Sequence, residues 1–174
     1  PTLVGRFGLL AANPNLPDEL HSPSQECVDH HIVRDDAGVY HLWGCIRNTL
    51  VGRVLYRWEG RSLADIPWQD TGELIRADSA SGESLLDWRR QEWLQSPFFV
   101  RQDGVHFMFY GGHGTGVDDE GCQVDREDPR TACQMCMMRS PDGRQWRRHR
   151  NADGFSRVFL GPGETRDPCV IRVG

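Results

Sequence analysis

The chain has 174 residues, 38% of them hydrophobic, which is enough for one ordinary core, and it carries a formal charge of −5. No apolar run reaches the roughly 18 residues of a membrane-crossing helix, and no basic run offsets the acids. Neither a membrane nor nucleic acid is therefore an expected partner, and an uncharged or cationic ligand suits the composition better.

Nineteen glycines, ten prolines and six tryptophans suit a turn-rich β protein rather than a helical one. In chain order, strands are predicted near 29–34, 39–46, 51–58 and 68–76, the last two flanking "EGRSLADIP". The first pair is a hairpin turning through "DDAG". If that hairpin pairs regularly, Cys27 and Cys45 fall nearly opposite each other, and a disulfide between them is geometrically possible. The stretch 82–94 ("GESLLDWRRQEWL") is expected to include a helical turn or two. Further strands follow near 96–102, 105–111, 133–139 and 146–150, with another apolar stretch at 157–160.

Between the strands at 105–111 and 133–139 lies a polar insertion, 113–132, whose acids could hold a structural calcium ion, although their spacing is not that of an EF-hand. The glycines of "GGHGTG" are not a dinucleotide fingerprint, because an acidic run rather than a helix follows them. Cys122, Cys133 and Cys136 could bind zinc, but a strand at 133–139 would turn the last two to opposite faces, so buried free thiols are the expectation. In "SPDGRQW", Asp142 and Gly143 give a turn and Trp146 packs back on the sheet. That stretch resembles the aspartate box of sialidase propellers, shortened by one residue, and is expected to staple the structure.

Three stretches repeat. "DHHIVR" from Asp29, "SPFFVR" from Ser96 and "DPCVIR" from Asp167 each end an apolar pair with arginine, about 70 residues apart. The first two continue through a Gly turn into a second strand. Sequential four-stranded sheets of this length predict an all-β fold of the β-propeller kind, with blades near 25–78 and 93–160 and the start of another at 164–174. A propeller of four or more blades needs on the order of 280 residues. The chain supplies about two and a half blades of four strands, so the rest of the ring is expected from a longer chain or another subunit.

In such a ring the first strand of each blade lines the central channel. Asp29, Ser96 and Asp167 then arrive at related places on one mouth. Converging carboxylates are what hydrolysis of a glycosidic bond requires, one to handle water or attack the anomeric carbon and another to protonate the leaving oxygen. His30 and His31 point to opposite faces of a strand, so at most one is expected to join the channel.

The phrases "VDHHIVRDDAGVYHLWG", "QSPFFVRQDGVHFMFYGG", "MMRSPDGRQWRRH" and "ETRDPCVIR" together resemble successive blades of the five-bladed propeller glycoside hydrolases, families 43 and 32, over roughly 25–174. The resemblance implies hydrolysis of a furanoside or related glycoside, a carbohydrate substrate and no required cofactor. It implies that Asp29 is the general base or the nucleophile. Asp167 would orient the substrate, tune the acid or stabilise the transition state, and Arg166 would bind sugar hydroxyls. Ser96, His30 and His31 are the further substrate-binding candidates. The family's glutamate acid has no counterpart here, and His30 stands where the family has proline. A propeller that binds sugar without cutting it, or that serves as an interaction scaffold, is the alternative.

Overall fold

The computed structural model describes residues 8–64, 66–83, 91–112, 133–161, 167–171 and 173. It is all-β, and its only helical element among the described residues is a single 3-10 turn at Ser79–Ser81. Strands β1 (Glu26–Arg34), β2 (Tyr40–Thr49), β3 (Gly52–Gly60) and β4 (Gln69–Ile75) form one antiparallel meander. Strands β5 (Glu92–Gln102), β6 (Val105–Gly112) and β7 (Cys133–Ser140) form a second, in which β8 (Arg147–Arg148) and β9 (Arg157–Gly161) share the far edge of β7. Two parallel pairs, Gly52 with Glu92 and Arg53 with Trp93, join the meanders into one mixed sheet. At that seam a Cβ on Gly52 would lie 2.4 Å from the Glu92 carbonyl oxygen, so only glycine lets the strands meet.

The hairpin turns follow from local chemistry. Asp103 and Gly104 both hold positive φ, 50° and 78°, as a two-residue type I′ turn requires. The longer turn after β1 closes when the Val39 N–H donates to Asp35 Oδ1 at 2.7 Å. Strand β2 is buried without a break from His41 to Ile46 because both of its faces are covered there. Trp43 and Cys45 pack with Leu55 against Leu94, Phe99, Met108, Tyr110, Cys136 and Met138 of the second meander. Leu42 and Ile46 face the other way, with Val54, Tyr56, Trp58 and Trp68, and meet Leu16 and Leu20 of the leading segment.

The turn at Asp142 ties the meanders together, and Trp146 packs back as expected, 5.2 Å from the Phe99 ring centre. The Asp36 N–H donates to the Asp142 carbonyl at 3.1 Å, and His106 and Arg101 of the second meander both reach Asp36 Oδ1, at 3.1 and 2.9 Å. A Cβ on Gly143, which has φ 80°, would press on the Asp35 backbone at 3.1 Å. Asp142 Oδ1 accepts from the Arg144 and Gln145 N–H groups at 2.8 and 3.0 Å. These backbone bonds, with Ser140, hold its carboxyl down to about 2. Because the folded value lies below the unfolded one, the stabilisation is complete above the usual aspartate range and is lost as pH falls through about 2. Asp142→Ala is expected to cost about 1 kcal/mol at neutral pH, the scale of a lost cap. Parallel urea titrations should show that gap closing as pH falls towards 2; a gap independent of pH would count against the staple.

Several expectations need correction. The β1–β2 register pairs Cys27 with Ile46 and Val28 with Cys45, so Cys27 and Cys45 lie on opposite faces and both are free thiols. One residue of register decides this, since side chains alternate along a strand. Burial pushes the thiols of Cys45 and Cys136 up to about 12. Glu92, Trp93 and Leu94, the end of the stretch expected to include a helical turn or two, begin β5 instead, because their backbone is claimed by β3 and β6. Residues 84–90, the insertion at 113–132 with Cys122 and the acids considered as calcium ligands, and Arg166 lie outside the described residues, and nothing is described of the Cys133 side chain.

Candidate functional site

Strands β1 and β5 run side by side without pairing, and at their meeting point Asp29, Ser96 and Asp167 come together. Ser96 Oγ lies 3.0 Å from Asp29 Oδ2 and 2.5 Å from Asp167 Oδ1. The two carboxylate oxygens can thus be no further apart than these two contacts laid end to end. A hydroxyl has one proton, so Ser96 donates to one carboxylate at a time while facing both.

The backbone departs from regular geometry at all three positions. Asp29 lies in a β-bulge, where Val28 pairs with Cys45 and His30 with Gly44. Ser96 and Pro97 form a second bulge, between Gln95, which pairs with Gly111, and Phe98, which pairs with Phe109. Ser96 and Asp167 also hold positive φ, 50° and 59°. Bulges re-aim side chains, and left-handed backbone at a residue other than glycine costs about 1–2 kcal/mol. Both site residues with strand neighbours lie inside their strands rather than at the starts, since β1 begins at Glu26 and β5 at Glu92.

The three residues open onto a cleft of about 390 Å³ lined by Asp29, His30, His31, Ser96, Pro97, Phe98, Asp167 and Pro168. Every one of these is among the first three residues of one of the three sequence repeats. Both histidines line the cleft, against the expectation that alternation admits at most one; they follow the bulge at Asp29, where regular alternation is interrupted. His31 is half-buried. Its ring stands edge-on to Phe98 and Phe99, with centroids 4.8 and 5.6 Å away, and its Nδ1 accepts from the Phe99 N–H at 3.4 Å. Burial first, and the neighbouring His30 second, hold this imidazole below its ordinary value. Pro97, Phe98 and Pro168 are lining residues that reasoning on charged and polar groups passed over. The register of the repeats could have found them, because each aligns with His30 or His31.

Chemically, the arrangement offers two adjacent carboxylates on a partly open, partly aromatic wall. Among the described residues, no three His, Cys, Asp or Glu side chains gather so as to hold a metal ion. No protein-family model matches the chain, and no curated protein or solved structure is significantly similar to it.

Proposed function

We propose that the chain forms part of a five-bladed β-propeller of the glycoside hydrolase type, with a cleft that hydrolyses a furanoside or related glycosidic bond. The observation that carries this reading is the Ser96 hydroxyl placed within hydrogen-bonding reach of both Asp29 and Asp167, from matching positions of three repeats. The propeller is supported by two successive meanders, each four strand positions wide, whose first strands lie together, and by Asp167 meeting Ser96 as Ser96 meets Asp29.

In this reading Asp29, on the exposed bulge, activates water or attacks the anomeric carbon. Asp167 orients the sugar and stabilises the positive charge that develops on it. Ser96 keeps the two carboxylates at fixed spacing. The acid that protonates the leaving oxygen comes from outside the described cleft, since no described glutamate lines it. That same feature favours a second reading, a propeller that binds sugar without cutting it.

Full-length protein offered 4-nitrophenyl α-L-arabinofuranoside, 4-nitrophenyl β-D-xyloside and sucrose separates the two. Hydrolysis of any of them above buffer supports the enzyme. Saturable binding without turnover supports the binder, and neither turnover nor binding overturns both.

A further inference from the structure

Among the described residues, the hydrogen-bonding complement of the cleft is lopsided. The carboxylates of Asp29 and Asp167 accept, and the one proton of Ser96 is directed at them. A ligand rich in hydroxyl groups satisfies such a wall by donating, but its own oxygens then need donors in return. An anionic ligand would meet two carboxylates at close range, where like charges repel.

His31 has the geometry to be such a donor. An imidazole nitrogen that accepts a hydrogen bond carries no proton, so Phe99 N–H pointing at Nδ1 places the proton of the neutral ring on Nε2, on the far side of the ring. Edge contacts from Phe98 and Phe99 fix the plane of the ring, and His31 lines the cleft. Protonating the ring would put hydrogen on Nδ1 and set it against the Phe99 N–H. Partial burial and the adjacent His30 oppose that charge, while the carboxylates of Asp29 and Asp167 share the same cleft.

We infer that His31 is held as the neutral tautomer with its proton on Nε2, and that this N–H is an uncharged donor to an oxygen of a polyhydroxylated ligand, making the cleft selective for neutral polyols over anionic ones. The nature of the ligand rests on the sugar-site reading; the tautomer does not.

Long-range proton–nitrogen NMR of the histidine rings in the full-length protein at neutral pH tests it directly. The expected result is an unprotonated Nδ1 and a protonated Nε2 at His31, with the Nε2 signal moved by L-arabinose and unmoved by D-glucuronate at equal concentration. A proton on Nδ1, an equal response to both sugars, or no response to arabinose overturns the inference. His31→Gln, whose side-chain amide N–H reaches the place of Nε2, should keep arabinose affinity within about threefold, whereas His31→Leu should lose about tenfold, the worth of one hydrogen bond. Equal affinities for the two variants would also overturn it. Failure to hydrolyse aryl furanosides, with the tautomer and the arabinose response intact, would count only against the proposed reaction.

Discussion

In the proposed hydrolase, Asp29→Asn is expected to lower kcat/KM for any aryl glycoside it turns over by about 10²–10⁴-fold, with nearly all of the loss in kcat. The range is that of removing a positioned base or nucleophile. The amide keeps the size of the carboxylate and can still accept the Ser96 proton, so the geometry of the cleft survives. What is lost is the ability to take a proton from water or to bond to carbon. Because Asp29 is exposed and lies in a bulge with no obligatory partner strand position, its replacement should move stability by no more than about 0.5 kcal/mol. Steady-state kinetics beside a thermal melt checks both halves. A variant that turns over like the parent would remove Asp29 from the chemistry, and one that melts many degrees lower would make it a structural residue.

The largest effect on stability is expected at Glu83. Its side chain is fully buried, and its carboxylate gathers donors from both meanders. Arg148 grips it with two bonds, from Nε to Oε1 at 2.8 Å and from Nη2 to Oε2 at 2.9 Å. Ser156 Oγ donates to Oε1 at 2.9 Å and the Asp78 N–H to Oε2 at 3.0 Å, and the Tyr110 hydroxyl donates as well. Glu83→Ala leaves that guanidinium largely buried without its main counter-charge and strands the Tyr110 hydroxyl and the Asp78 amide, while Ser156 Oγ keeps the Ser81 carbonyl at 3.3 Å. Breaking a buried pair on one side costs about 3–5 kcal/mol, a large share of the 5–15 kcal/mol typical of a domain. For a chain of this size that is a fall in Tm of roughly 6–20 °C. Tyr110 supplies an independent readout. Burial first, and the charge of Glu83 second, push its hydroxyl well above the ordinary tyrosine value, so in the variant its titration should move back down by the share Glu83 contributes. An unchanged melt would show that the cluster is dispensable.

The strands and their hairpins were legible in the sequence because alternation and turn glycines are local signals. Val105 to Tyr110 alternate half-buried and buried on β6, and Asp103-Gly104 form a turn that two adjacent residues can specify alone. The convergence of Asp29, Ser96 and Asp167 was legible for a different reason, since three copies of one pattern imply three copies of one position. Registers were not legible. Cys27 misses Cys45 by one step, and both cleft bulges arise where two strands fall out of step, which depends on the partner rather than on the strand itself. Nor could Glu83 be singled out, because its partners Tyr110, Arg148 and Ser156 are brought to it only by the packing of the two meanders.

The cleft walls come from the leading residues of three separate repeats, so neither meander owns the site. It exists only while the halves stay seated on each other, and a slight parting along the seam at Gly52 and Gly143 would scatter the carboxylates while every hairpin kept its ladder. The cleft of such a molecule is a property of the joint, and the first thing that wear at the joint takes away.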